Sequence, residues 1–210
     1  SIIKTQMLDF LLKHNKITSQ QHGFLSKHST CSQIIECVND WSIVLNLRKQ
    51  VDVIYIDFCK AFDSVVHSKL LYKLEALGIR GKLLLWIAAF LSNRSQVVRV
   101  GKDMSASVKV VSGVPQGSVI GPLLFLCFIN DLVEIFDGKV QIKLFADDVK
   151  IYVAIDGVSD CINLQCYLDK LASWASKWQL QVSVPKCACL HLGNYVYNIA
   201  SFDLPNVESI

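Results

Sequence analysis

Proline is scarce in this sequence, with four among 210 residues. No internal repeat, low-complexity tract or Pro/Ser-rich linker interrupts it. Repeat architectures and flexible multidomain strings are thereby excluded, and the length fits one large domain or one domain with a sub-lobe. Charge of either sign is also modest: the net charge is +3 and charged residues make up 19%. That balance permits nucleic-acid binding without arguing for it. With a hydrophobic fraction of 52%, the composition is globular, not disordered.

Long apolar runs are missing as well. The best candidates are residues 83–91 and 119–129. The first is too short for a bilayer that needs roughly 20 apolar residues. The second contains Gly121 and Pro122 and stops at Asn130-Asp131. Both read as buried helices, and no membrane association is expected. The start shows no signal-peptide pattern and no initiator Met, so the expectation is a piece of a longer chain. No C-x-x-C pair occurs among the eight cysteines, at 31, 37, 59, 127, 161, 166, 187 and 189. His14, His22, His28, His67 and His191 show no metal spacing either, so a zinc site is not expected. Reduced thiols inside a cell, in nucleus or cytoplasm, fit better than a disulfide framework.

Periodicity supplies the elements. Residues 3–14 form an amphipathic helix. Ser29 or Thr30 caps a second, where Ile34, Val38, Trp41 and Leu45 recur at helical spacing. Residues 51–58 are a strand apolar on both faces, with Asp57 near its end. Leu70, Leu71, Leu74 and Leu77 line a helix stopped by Gly78, and another covers about 81–92. Residues 96–100 and 107–111 suggest paired strands, and Pro122 opens a helix running to about Phe136. Residues 140–155 are the clearest hairpin: Val140, Ile142, Leu144 and Ala146 alternate before the bend, Val149, Ile151, Val153 and Ile155 after it. A long helix carries Leu164, Leu168, Leu171, Ala175 and Trp178 on one face, and residues 187–192 form a last strand. The four tryptophans sit on helix faces and read as core residues. Arg94, Arg99, Lys102 and Lys109 are open to two readings, contacts to a nucleic-acid phosphate backbone or the solvated charges of a hairpin, and the second is the ordinary one.

The bend of the hairpin is Asp147-Asp148. Asp is a common turn residue, so a solvated turn is the ordinary reading of such a pair. Yet two adjacent carboxylates on an apolar hairpin repel, and one pKa should rise unless a cation is present. Hard carboxylate oxygens suit Mg²⁺. Asp57, at the end of another buried strand, completes a trio able to hold two metals roughly 3.5–4 Å apart.

The residues around the trio carry a resemblance. Tyr55-Ile56-Asp57-Phe58-Cys59-Lys60-Ala61-Phe62-Asp63 resembles the first catalytic motif of reverse transcriptases. Gly113-Val114-Pro115-Gln116-Gly117-Ser118-Val119-Ile120-Gly121-Pro122-Leu123-Leu124-Phe125 is similar to their second. Phe145-Ala146-Asp147-Asp148 is similar to their third, the aromatic-x-Asp-Asp box. Gln21-His22-Gly23-Phe24 with Ser29-Thr30, and Ile129-Asn130-Asp131-Leu132, give the flavour of non-LTR (LINE-type) retrotransposons. The resemblance covers about residues 10–195 and rests on the order and spacing of the whole set.

The resemblance implies roles by position. Asp57, Asp147 and Asp148 are expected to be catalytic and to bind two Mg²⁺ ions, for which Mn²⁺ can substitute. The backbone carbonyl of Phe58 joins them as a metal contact. Phe62 is expected under the incoming sugar, where a ring clashes with a 2′-hydroxyl; the ordinary alternative is a core aromatic. Gln116 packs by the nascent base pair, and Gly117 lets backbone approach closely. Lys186 resembles a later-motif lysine near the leaving pyrophosphate. Asp63 resembles a position that is not a metal ligand, and Leu192-Gly193 falls where a primer-contacting turn begins.

Three departures stand out. Leu25-Ser26-Lys27-His28 replaces an Arg-rich stretch, Ser183 stands where an Asn is usual, and both an upstream finger motif and a downstream thumb are expected to lie outside the chain. The expected fold is α+β: a polymerase palm, a small antiparallel sheet backed by helices, with a partial, mainly helical fingers lobe. The expected organisation is partial fingers over 1–50, a palm-centred core over 51–195 with a fingers insertion at about 65–112, and at 196–210 the start of a connection to a thumb. The implied function is RNA-directed DNA synthesis by two-metal nucleotidyl transfer. The implied partners are RNA template, DNA primer, dNTPs and flanking domains of a longer polyprotein. A group II maturase or retron-type enzyme, and a degenerate or captured fragment that binds RNA or protein without catalysis, remain open alternatives.

Overall fold

The computed structural model describes residues 2–193; the expected thumb connection at 196–210 lies outside them. In chain order the elements are α1 (Ile2–Lys13), α2 (Thr30–Asn46), β1 (Gln50–Ile56), the single turn α3 (Ala61–Ser64), α4 (His67–Ala76) and α5 (Gly81–Leu91). Four two-residue strands follow: β2 (Ser95–Gln96), β3 (Arg99–Val100), β4 (Asp103–Met104) and β5 (Val108–Lys109). The rest are α6 (Gly121–Ile129), a 3₁₀ turn Asn130–Ile135, β6 (Gln141–Phe145), β7 (Asp148–Ile155), α7 (Val158–Trp178), a 3₁₀ turn Val184–Lys186 and β8 (Ala188–Leu192). Two compact units result among the described residues: 2–16 with 60–128, and 17–59 with 129–193. α1 falls in the first unit and α2 in the second.

The first unit is helical. Leu70 and Leu74 of α4, Ile87 and Leu91 of α5, and residues 123–128 of α6 are all buried. The ammonium of Lys73, itself buried, donates to the carbonyl of Phe128 at 2.6 Å. That places a cation on the carbonyl end of α6, where the helix dipole favours it. The α6 run is buried as expected, but α5 is buried on one face only: Ile87 and Leu91 are covered while Leu85 and Trp86 are exposed. Trp86 stacks on Phe90 at 5.6 Å instead of entering the core. The expected strand pair is two short ladders, β2 with β5 and β3 with β4. Arg94 is not a loose charge, because its guanidinium donates to the carbonyls of Leu91 and Gly113.

The second unit is built on an antiparallel sheet in the order β6-β7-β1-β8. Ile56 lies opposite Val149, and Ile54 opposite Ile151. These four form one buried face, and α7 packs against β7. Leu164, Leu168, Leu171, Ala175 and Trp178 of α7 are buried, as its spacing requires. The other face carries Val51, Val53 and Tyr152, which cluster with Cys37 of α2.

The register of α2 corrects the sequence reading. Its buried positions are Gln33 and Cys37, whereas Ile34, Ile35 and Val38 are exposed. The sheet explains why. Its α2-facing side presents Lys150 and Tyr152, and the neighbouring strand presents Lys143. These polar tips need partners when buried. The Tyr152 hydroxyl donates to Asp40 at 2.5 Å, and Lys143 pairs with Glu36 at 2.7 Å. Lys150 lies 3.9 Å from the Cys37 sulfur and over the rings of Trp41 and Tyr55. The helix thus turns its polar-flanked stripe inward. Ser29 caps α2 through a reciprocal capping box with Ser32. No helix among the described residues is long and apolar enough to cross a membrane.

Candidate active site

Asp57 follows β1 directly, and Asp148 opens β7. The antiparallel register that sets Ile56 against Val149 carries Asp57 to the level of Asp148. Asp147 lies in the bend, because Phe145 pairs with Asp148 across it. The three carboxylates therefore gather at one end of the central strand pair. Beside them a cavity of about 310 Å³ is lined by Asp57, Asp148, Lys150 and Lys186 from the sheet side and by Thr30 and Ile34 of α2.

Their electrostatics are unfavourable without a counter-charge. Burial pushes the Asp147 carboxyl above the ordinary carboxylate range and the charge of Asp57 adds to this, while its own N–H and Lys186 pull it down. Partial desolvation likewise raises Asp148, and the charges of Asp147 and Asp57 raise it further, against Lys150. Asp57 Oδ1 is buried with no hydrogen-bond donor. Lys186 Nζ approaches it at 3.6 Å. A buried carboxylate oxygen that accepts no hydrogen bond, beside two carboxyls whose ionisation is resisted, has the chemistry that suits a hard divalent cation. Among the described residues, no group of three or more His, Cys, Asp or Glu side chains is placed to hold a metal ion by itself.

The chain around Asp57 is stitched to the segment that bears Lys186. Ser183 N–H donates to the Asp57 carbonyl at 2.8 Å, and Cys59 N–H donates to the Gln181 carbonyl at 2.8 Å. Phe58 and Val182 form the bridge between these two bonds. They are its non-hydrogen-bonded pair, so the bridge leaves the Phe58 carbonyl uncommitted. The Phe58 ring is buried near Trp174 at 6.4 Å. The 3₁₀ turn Val184–Lys186 then brings Lys186 back toward Asp57.

Phe62, Gln116 and Gly117 belong to the first unit. Phe62, in α3, is half-buried and stacks on Phe125 at 4.2 Å with an interplanar angle of 16°. Its carbonyl accepts from Val114 N–H at 2.9 Å. Gln116 is exposed, and its amide donates to Asp63 Oδ1 at 2.9 Å. Asp63 thus holds Gln116, and its own carbonyl accepts from Ser112. Gly117 has φ +77°, but a Cβ there would meet nothing within 4 Å. Its positive φ favours glycine, and the space beside its Cα is open within the chain. The tight glycine is Gly113, where a Cβ would stand 2.7 Å from Asp63 Cα.

Two arrangements escaped the sequence reading. Asp52 is buried and accepts from Gln50 at 2.8 Å, with His191 Nδ1 at 2.7 Å from the same oxygen. Gln21, flagged only within a motif, is buried against Ala146. Alternating hydrophobicity marks Asp52 as sheet but cannot reveal its partner on another strand.

The family model for reverse transcriptase (RNA-dependent DNA polymerase) matches residues 1–203.

The chain belongs to the reverse transcriptase family.

This reverse transcriptase chain is 30% identical over 218 residues to the "RNA-directed DNA polymerase from mobile element jockey" of Drosophila funebris, covering 96% of this chain and 23% of that protein. It is 30% identical over 202 residues to the "Probable RNA-directed DNA polymerase from transposon BS" of Drosophila melanogaster, covering 88% and 21%. The non-LTR flavour of its motifs agrees with these relatives, of whose length it spans less than a quarter. Among solved structures it is similar to apo telomerase from Candida tropicalis, with a TM-score of 0.67, 11% identity, and 93% and 40% of the two chains covered. That likeness shows the α+β reverse transcriptase fold.

Proposed function

We propose that this chain is the catalytic core of an RNA-directed DNA polymerase of the LINE type, extending a DNA primer along an RNA template from dNTPs. The observation that carries the reading is the unpartnered Asp57 Oδ1 beside Asp147 and Asp148, whose carboxyls are both held above the ordinary range. Asp57, Asp147 and Asp148, with the Phe58 carbonyl, are the groups that would hold two Mg²⁺ ions. When bound, such ions stabilise charge on the attacking and leaving oxygens of an in-line displacement.

The reaction is attack of the primer 3′-oxygen on the α-phosphate of a dNTP, with loss of pyrophosphate. Lys186, an exposed cation, offers a proton or a fixed charge to the departing pyrophosphate. The Phe62 ring, steadied by Phe125, disfavours a 2′-hydroxyl on the incoming sugar. Gln116, held by Asp63, lies beside the nascent base pair, and Gly117 supplies the turn next to it.

The sheet unit is assigned as palm, residues 65–112 as the fingers insertion, and residues 196–210 as the lead into a thumb. The flanking domains of a longer polyprotein are further partners. The described cysteines are all free thiols, which supports an intracellular setting in nucleus or cytoplasm. The names of the relatives favour a mobile-element enzyme over a maturase or retron-type one. Primer extension on an RNA template with Mg²⁺, abolished by Asp147→Asn, is the expected result. RNA binding without extension, even with the flanking domains restored, would instead support the non-catalytic fragment.

A further inference from the structure

We propose that Gln21 is a positioning residue for the catalytic hairpin, its buried amide holding Ala146 in the backbone conformation that presents Asp147 and Asp148. The proposal rests on the reading of those aspartates as the catalytic pair, and it assigns a role upstream of them.

Ala146 is the residue immediately before the pair, and its φ is +57°. This left-handed region is strained for any side chain beyond glycine and usually takes Gly or Asn in a tight bend. Alanine offers no side chain to bond its own backbone, so the conformation must be imposed from outside. Both polar backbone groups of Ala146 meet one side chain. Its N–H donates to Gln21 Oε1 at 2.9 Å, and its carbonyl accepts from Gln21 Nε2 at 3.4 Å. Gln21 is 2% exposed, so water does not substitute for these bonds.

The surrounding backbone shows why a side chain is needed. Residues 20–22 run parallel to the edge strand β6. Leu144 N–H donates to the Gln20 carbonyl at 2.9 Å, and His22 N–H donates to the Leu144 carbonyl at 2.8 Å. Thr18 N–H, donating to Asn130 Oδ1 at 2.9 Å, anchors this segment. The next rung of such a ladder falls on Ala146, where the strand bends away. The Gln21 amide, with one acceptor and one donor, replaces that rung. Its oxygen also takes Gly23 N–H at 2.7 Å, which fixes the amide orientation. Gly23 is fitted to the same contact, because a Cβ there would stand 2.3 Å from Ala146 N. Only a glutamine reaches with both a donor and an acceptor: asparagine is a methylene short, and glutamate would set a buried charge against the Ala146 carbonyl.

The test uses the whole chain and two readouts that do not depend on turnover. Amide hydrogen exchange in the unmodified protein should show Ala146 and Gly23 protected. Exchange there as fast as in exposed loops would overturn the clamp without any variant. In Gln21→Ala and Gln21→Glu, exchange at Ala146 should quicken by roughly ten- to a hundredfold, with the β1–β7 ladder unchanged. Mn²⁺ titration followed by electron paramagnetic resonance should show an affinity about tenfold weaker in both variants. Ala146→Gly placed on Gln21→Ala should recover part of that affinity, since glycine enters the left-handed region freely. A lower melting temperature with Mn²⁺ affinity intact would reduce Gln21 to a structural residue and overturn the proposal. Absence of Mn²⁺ binding in the unmodified protein would instead defeat the metal-site reading, while the exchange experiment still decides the clamp.

Discussion

Lys186 sets its ammonium 3.6 Å from Asp57 Oδ1, an oxygen that is buried and has no hydrogen-bond donor. The ammonium is the charge that faces this oxygen. The lysine side chain is 68% exposed, so it is free to leave that position when the site fills.

Lys186 therefore has separable effects on binding and rate. Lys186→Ala removes a positive charge facing the site, so the half-saturating Mg²⁺ concentration should fall or stay level. The rate of nucleotide addition should drop by about 10²–10⁴, the range for loss of a general acid. Single-turnover extension across a Mg²⁺ series separates the two. A weaker Mg²⁺ requirement with full rate would remove Lys186 from the chemistry.

The acidic pair predicts an unusual pH response. Asp147 and Asp148 have folded-state pKa values raised above the ordinary value of 3.8. Between that value and the raised ones, the folded chain binds more protons than the unfolded one. Their ionisation thus costs stability fully above the raised values, and the cost is relieved as pH falls through them. It vanishes below the unfolded value. Metal-free Asp148→Asn should melt slightly higher than the parent at neutral pH, by a few degrees at most. That gain should disappear on acidification. Thermal melts with chelator present check this, and a lower melting temperature at neutral pH would refute it.

Sugar discrimination should rest on Phe62. Phe62→Val opens space while leaving Phe125 in place, so use of ribonucleotides relative to deoxynucleotides should rise by about 10- to 100-fold. Competition between the two nucleotide types on one template reads the ratio. An unchanged ratio with lower stability would mark Phe62 as a core ring stacked on Phe125 and nothing more.

Two glycines of the second motif should respond unequally. Both have positive φ, at +83° for Gly113 and +77° for Gly117. Alanine at Gly117 meets open space and should cost about 1–2 kcal/mol from the backbone alone. Alanine at Gly113 also collides with the Asp63 backbone at 2.7 Å. Its cost should exceed about 3 kcal/mol, within the range where backbone strain and overpacking add. Urea unfolding of the two variants compares them directly, and equal losses would contradict the packing around Gly113.

Much of this was legible in the sequence, where the physics was local. The alternation across residues 140–155 located the hairpin, and the helical spacing of Leu164, Leu168 and Leu171 located α7 and its buried face. The repulsion of adjacent carboxylates pointed to a raised pKa, and those of Asp147 and Asp148 are both raised. Illegible features depended on partners distant in the chain. Ile34 and Val38 looked like the inward stripe of α2, but Lys143, Lys150 and Tyr152 on the sheet required polar companions from that helix. The apolar run 83–91 of α5 looked wholly buried, yet Leu85 and Trp86 face outward. Gln21 carries no signal of its own, because what it binds is a backbone amide 125 residues away.

The central claim is that the carboxylate trio runs divalent-metal nucleotidyl transfer, and Asp57→Asn tests it most directly. The substitution keeps the shape of the side chain while removing the charge on the unpartnered oxygen. Single-nucleotide extension of a DNA primer on RNA in saturating Mg²⁺ should fall by at least about 10³, the scale for losing one preorganised charge contact to the transition state, with the melting temperature preserved. Extension within a few-fold of the parent would contradict the account.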